Sequence, residues 1–176
     1  RQSIAKTLNA VEKEILFTSG GSESNNWALR GVLDANPRLT GKILISAGEH
    51  PSVAETASYL ERHGRRVLRI PLKKDGTPDM EALQALMAEG ETSLVSILHV
   101  NSETGAISPL TEIAALIKSI DPYVIFHVDA VQGYGKFPLH PAKQQIDLLS
   151  MSAHKIHGPR GIGALYCRSG LKLEPL

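Results

Sequence analysis

Seven short runs of β-branched and apolar residues recur along this chain, and most are separated by stretches of helical spacing, an alternation that few folds accommodate. The runs are Glu14–Thr18, Lys42–Ser46, Arg66–Pro71, Leu94–Val100, Val124–Val128, Leu148–Ser152 and Ile162–Arg168. Each is bounded by Gly, Pro or polar residues, as strands are. Helical patterns occupy Ser22–Ala35, Ser52–His63, Met80–Glu89 and Leu110–Ile120, with a short irregular connection around Pro141–Ile146. Several runs are apolar on both faces, which suits central strands covered by helices on both sides. The expected fold is therefore α/β: a three-layer α/β/α sandwich around a seven-stranded, mostly parallel sheet. The last run follows the sixth across the short loop Ile156–Gly161 with no crossover helix, so it is expected to run antiparallel to its neighbour. No repeat or linker divides residues 1–176, which read as one domain.

Charge narrows the partners. With 19 Lys and Arg against 18 Asp and Glu, a net charge of +1 and no run of like charges, the chain offers no footprint for nucleic acid or an anionic membrane surface. No apolar stretch approaches the roughly 20 residues of a membrane span, and the first residues lack the pattern of a signal peptide. A single cysteine, Cys167, cannot form an internal disulfide, which suits a reducing, cytoplasmic setting. The chain begins at Arg1 inside a helical pattern and stops just after a strand-like run, so it reads as a fragment of a longer protein.

In open α/β sheets ligands bind beyond the carboxyl ends of the parallel strands, so the residues after each run are where chemistry is expected. The first run leads through Thr18-Ser19-Gly20-Gly21-Ser22 into a helix. Glycines and free helical N–H groups there suit a phosphate; the plain alternative is a glycine turn with Ser22 as cap. Gly48-Glu49-His50-Pro51 puts a histidine at a helix start, able to stack on a planar group, to shuttle a proton or simply to cap. His99–Gly105 gathers polar side chains after the fourth run. The fifth run ends in Asp129, a carboxylate that is costly to bury without an arginine, a helix N-terminus or a protonated heterocycle beside it. Gln132 follows within reach of the same pocket. After the sixth run Lys155 sits in a glycine-bounded loop. Stripped of water it is a nucleophile for an aldehyde; otherwise it is an ordinary surface lysine. His154 and His157 lack a further ligand cluster for a metal. Asp129 for a pyridinium, Lys155 for an aldehyde and a glycine-rich helix start for a phosphate together match pyridoxal 5′-phosphate.

Thr18–Asn26, Glu49-His50, His99–Gly105, His127–Lys136 and Ser152–Tyr166 resemble, in unbroken order, the consecutive motifs of the cysteine desulfurases, within the aminotransferase class V group of fold-type I pyridoxal phosphate enzymes. The branch serving iron–sulfur cluster assembly and thio-cofactor supply is the more similar one. The resemblance implies that Lys155 binds the cofactor as a Schiff base, Asp129 pairs with the ring nitrogen and Gln132 bonds the ring hydroxyl. It implies further that His50 stacks on the ring and assists proton transfer, and that Gly21, Ser22, Ser152 and His154 hold the phosphate. Ser22 stands where the family usually has Thr, and Ser102 where it usually has a second Asn beside Asn101, whose amide contacts cofactor and substrate. The implied partners are L-cysteine, a sulfur acceptor protein and a second copy in a homodimer. A selenocysteine lyase or another class V enzyme is the alternative within enzymes, and a noncatalytic remnant of the fold the alternative outside them. By the same resemblance the nucleophilic cysteine, the arginine for the substrate carboxylate and the small domain lie outside these residues. Cys167 is not expected to carry sulfur: it lies about 17 Å along a strand from the loop-proximal end at Ile162.

Overall fold

The computed structural model describes residues 1–176. Its strands are β1 (Ile15–Thr18), β2 (Lys42–Ser46), β3 (Val67–Ile70), β4 (Thr92–Leu98), β5 (Ile125–Asp129), β6 (Leu148–Ser152) and β7 (Gly163–Cys167). One sheet holds all seven in the order β1-β7-β6-β5-β4-β2-β3. The inner pairs β2–β3, β2–β4, β4–β5 and β5–β6 are parallel, whereas β7 runs antiparallel to both β6 and β1, wedged between them. This is the expected sheet, with strand ends displaced by at most two residues.

Alternation along each strand sorts the core into two layers. Val95 and Ile97 of β4, Phe126 and Val128 of β5 and Leu149 and Met151 of β6 pack against α1 (Gln2–Thr7), α5 (Met80–Ala88) and α6 (Leu110–Ile120). Leu94, Ile125, Leu148 and Leu165 face the opposite way, onto α4 (Pro51–Arg62) and the helical stretch that follows β1. Fully burying each such side chain contributes about 1.5–3 kcal/mol. No helix is long and apolar enough to cross a membrane.

The stretch expected as one helix over Ser22–Ala35 is divided. It comprises α2 (Gly21–Asn26), a π-helical turn at Trp27–Gly31 and α3 (Val32–Ala35). The cause lies far along the chain. Glu174 N donates to Gly31 O at 2.9 Å, Trp27 Nε1 donates to Glu174 O at 2.8 Å, and a Cβ on Gly31 would meet that same carbonyl at 2.7 Å. The C-terminal segment thus lies against a widened turn.

On the α2–α4 face the sheet also buries a polar row. His127 Nδ1 lies 2.8 Å from Ser96 Oγ and its Nε2 3.0 Å from Ser150 Oγ, all three side chains being fully enclosed. Loss of water pushes the His127 imidazole down to about 3. The unfolded chain takes up that proton below about pH 6.5, so this stability is whole above that value and lost as pH falls toward 3. Between pH 7 and pH 5 His127 accounts for a loss of about 2 kcal/mol. His127→Gln should lose about that much less over the same interval in urea unfolding; equal losses in the two proteins would refute the assignment.

Candidate active site

Six of the seven strands point their carboxyl ends to one edge of the sheet, and two adjoining clefts open there, of about 510 and 480 Å³. Their shared wall is the start of α2. Gly20 occupies its cap, so Ser22 lies within the first turn rather than capping it and lines both clefts. Two close approaches hold this wall. A Cβ on Gly163 would meet Gly20 Cα at 2.6 Å, and one on Gly21 would meet Val131 Cγ2 at 2.5 Å. Ser24 Oγ, fully buried, is 2.8 Å from Thr18 Oγ1 and 3.1 Å from the carbonyls of Gly20 and Ala164, tying the helix start to β1 and β7.

No hydrophobic residue lines the second cleft. Ser19, Gly20, Gly21 and Ser22 face Ser152, His154 and Arg160 across it. Ser152 Oγ and His154 Nδ1 are 2.8 Å apart. Lys155 lines both clefts from the 3₁₀ turn Ala153–Ile156 that follows β6. It is half-buried rather than enclosed as a desolvated lysine would be, because the clefts on either side remain open to water.

Asp129 forms the floor of the larger cleft at 1% exposure. Of the partners expected for it, no arginine is present, and the groups it bonds within the chain are neutral. Asn25 Nδ2 donates to Oδ2 at 2.7 Å and Val131 N to Oδ1 at 3.0 Å. Asp129 takes part in none of the chain's ion pairs, which join Arg66 to Glu89, Arg69 to Glu61, and both Lys118 and Arg168 to Asp147. Burial pushes its carboxyl up, against the pull of those two hydrogen bonds and of the His50 charge. Glu49 lines the same cleft. Its Oε1 accepts from Ser46 Oγ at 2.7 Å while Oε2 is buried without a partner, and loss of water, aided by Asp129, pushes it up to about 8. Such a carboxyl holds its proton at neutral pH.

His50 caps α4. Its Nδ1 accepts from Ser52 N at 3.1 Å and lies 2.8 Å from Ser52 Oγ, while the ring itself is exposed at the cleft. The capping and the cleft-facing readings of this histidine thus coexist. Asn101 and Gln132 line the cleft from the ends of β4 and β5. Asn101 spends its side-chain oxygen locally, accepting from Glu103 N at 2.9 Å and Thr104 N at 3.0 Å, and its Nδ2 reaches Gly48 O at 3.4 Å. Asn25, Glu49 and Ser52 are site residues that sequence reasoning did not single out. Asn25 and Glu49 lie inside quoted motif runs, which was the available signal.

Pyridoxal 5′-phosphate would bring a phosphate, a basic ring nitrogen and an aldehyde. The residues present fit it, and Asp129 decides the point: a buried carboxylate without a cation, opening on a cleft, suits a protonated ring nitrogen. Lys155 offers an amine at the junction, and the second cleft offers hydroxyls and N–H groups for an anion.

The aminotransferase class-V family profile matches residues 1–176. The chain is 43% identical over its whole length to the cysteine desulfurase IscS of Clostridium botulinum (strain Kyoto / Type A2), of which it covers 44%. It is also 43% identical to the cysteine desulfurase IscS of Methanosarcina thermophila, covering 43% of it. The chain therefore spans less than half the length of these curated relatives. Among solved structures it is similar to a NifS-like protein (TM-score 0.94, 38% identity, 99% of this chain and 48% of that one). A second neighbour, described as SspA in complex with cysteine, has a TM-score of 0.90 and 38% identity, with 99% of this chain and 50% of that one covered.

Proposed function

Because the chain belongs to the aminotransferase class-V family, we propose that residues 1–176 form the pyridoxal 5′-phosphate-binding large domain of a cysteine desulfurase. The reaction takes sulfur from L-cysteine, releases alanine and leaves a persulfide on an enzyme thiol. The observation that carries this reading is the convergence of Lys155, Asp129 and His50 on one cleft, which a mere interaction scaffold does not require. Relatives named cysteine desulfurase and a neighbour described in complex with cysteine support the choice of substrate.

Lys155 would hold the aldehyde, Asp129 the ring nitrogen and Gln132 the ring hydroxyl, with His50 against the ring face and Asn101 beside it. Gly21, Ser22, Ser152 and His154 would hold the phosphate. When bound, the cofactor supplies an electron sink that acidifies the Cα–H of an amino acid. Asp129 keeps a proton on the ring nitrogen, which its buried negative charge favours. Lys155 Nζ would be the base that takes the Cα proton.

Cys167 does not receive the sulfur. It lies opposite Leu148, at the far end of β7 from Gly163, which lies opposite Ser152 at the cleft. The residue is 8% exposed and burial pushes its thiol up to about 11, so the nucleophilic thiolate is scarce at neutral pH. The carrier thiol thus comes from outside residues 1–176, on a segment able to move between substrate and acceptor. The protein would work as a homodimer, with exposed Phe17 and Ile162 available for contact. It would pass sulfur to an acceptor protein in cytoplasmic iron–sulfur cluster assembly.

The test supplies the purified full-length protein, since residues 1–176 alone are expected to be inactive, with pyridoxal 5′-phosphate and either L-cysteine or L-selenocysteine, and measures alanine. Alanine from L-cysteine, with Cys167→Ser retaining at least about half the rate, is the expected result. No alanine from either substrate would overturn the reading, and loss of activity in Cys167→Ser with the fold intact would restore Cys167 as the carrier.

A further inference from the structure

Four side chains from three separate elements form an unbroken hydrogen-bonded line along the floor and rim of the larger cleft. Asp129 Oδ2 accepts from Asn25 Nδ2 at 2.7 Å; the same Nδ2 donates to Ser52 Oγ at 2.8 Å; Ser52 Oγ lies 2.8 Å from His50 Nδ1. We propose, on the cofactor-site reading above, that Asn25 and Ser52 are positioning residues, a relay that joins the Asp129 carboxylate to the His50 imidazole and holds the His50 proton on Nε2.

Donor counting gives the line a direction. Both Asp129 oxygens accept, Oδ1 from Val131 N and Oδ2 from Asn25 Nδ2, which sets the amide nitrogen of Asn25 toward the carboxyl. Both amide hydrogens are then spent, one on Asp129 and one on Ser52. Ser52 Oγ, already accepting from Asn25, has a single hydrogen left and gives it to His50 Nδ1. The backbone N–H of Ser52 points at the same nitrogen from 3.1 Å. With two donors aimed at it, Nδ1 carries a lone pair and the imidazole proton belongs to Nε2.

The opposite tautomer would set an Nδ1–H against the Ser52 N–H and end the cap of α4. Asn25 is 1% exposed, and its Oδ1 is left buried without a partner. That orphan atom is the cost of aiming both amide hydrogens along the relay. His50 accordingly presents a hydrogen-bond donor to the cleft. Protonation at Nδ1 requires the Ser52 hydroxyl to turn away and the cap to open.

The titratable groups facing His50 across the cleft are Glu49, Glu103, Asp129, His154 and Lys155. None lies in the line itself except Asp129, so substitutions at Asn25 and Ser52 change the relay without altering the charge around it.

The experiment uses the cofactor-free protein with ¹⁵N-labelled histidine and assigns the His50 ring signals by their loss in His50→Gln. Two-bond ¹H–¹⁵N correlations should show an unprotonated Nδ1 and a protonated Nε2 in the wild type. Ser52→Ala and Asn25→Ala should each raise the share of the Nδ1–H form roughly three- to tenfold, the equivalent of one ordinary hydrogen bond. Ser52→Thr, which retains the hydroxyl, should show the wild-type tautomer. A wild-type proton on Nδ1, a reading that needs no variant to fold, would overturn the proposal, as would Ala variants whose ring signals match the wild type. Since none of these spectra involves the cofactor, failure here is distinguishable from failure of the cofactor reading, which is tested by alanine release.

Discussion

Borohydride reduction in the presence of pyridoxal 5′-phosphate should leave a stable label on the peptide containing Lys155, and Lys155→Ala should abolish both the label and alanine release. The expected fall in turnover is roughly 10³-fold or more, the scale on which removal of a covalent catalytic group is felt. The structure gives the reason. Lys155 is the one lysine lining either cleft, and the 3₁₀ turn after β6 places it where the cleft floored by Asp129 meets the one walled by Gly20–Ser22. Because it is half-buried on a surface turn, its replacement should not disturb folding. Mapping the label to any other lysine while Lys155 stays unmodified would end the assignment.

Asp129→Asn is the second large effect, and it should separate chemistry from stability. In the cofactor-free protein a buried carboxyl whose pKa is raised above its unfolded value weakens the fold as pH rises past about 4. The Asn variant removes that cost and should be the more stable protein at pH 7, by thermal or urea unfolding. In the loaded protein the same change removes the charge that keeps a proton on the ring nitrogen. Loss of deuterium from Cα-labelled cysteine should slow by about 10²–10³-fold, comparable to removing one preorganised electrostatic group. Labelling of Lys155 should persist. Equal exchange rates in the two proteins would show that Asp129 does not perform this role.

The strands were legible because their apolar runs are short and sharply punctuated. Lys42–Ser46 and Leu148–Ser152 have the same ends in sequence and structure. The antiparallel placing of β7 followed from the brevity of the loop before it. The π-helical turn at Trp27–Gly31 was not legible, since its cause is a carbonyl and an N–H of Glu174, nearly 150 residues further on. The same limit explains the site. Asp129 and Lys155 could be singled out because a carboxylate ending a buried strand and a lysine after another are costly placements that call for a reason. Asn25 and Ser52 raise no such question singly: each is an ordinary polar residue near a helix start. Their significance arises only when α2 and α4 pack side by side and bring Asn25 Nδ2 within 2.8 Å of Ser52 Oγ. Of the partners expected beside Asp129 no arginine is present, because the fold supplies neutral donors and leaves the carboxyl facing the cleft.

The wedging of β7 between β6 and β1 also bears on how such a chain comes into being. Ile15 pairs with Tyr166 and Thr18 with Gly163, so the first strand has no hydrogen-bonded neighbour until nearly all of these residues exist. At ordinary translation speeds that interval is about 10–30 s. Throughout it Ile15, destined for complete burial, and Phe17 beside it remain on an unpaired strand. Closing so long a loop is also entropically slow, since the late contact must form before it rewards the chain. β1 is thus the strand that waits longest for its partner, and a holdase that covers Ile15–Thr18 during synthesis should raise the yield of folded protein more than one acting after release.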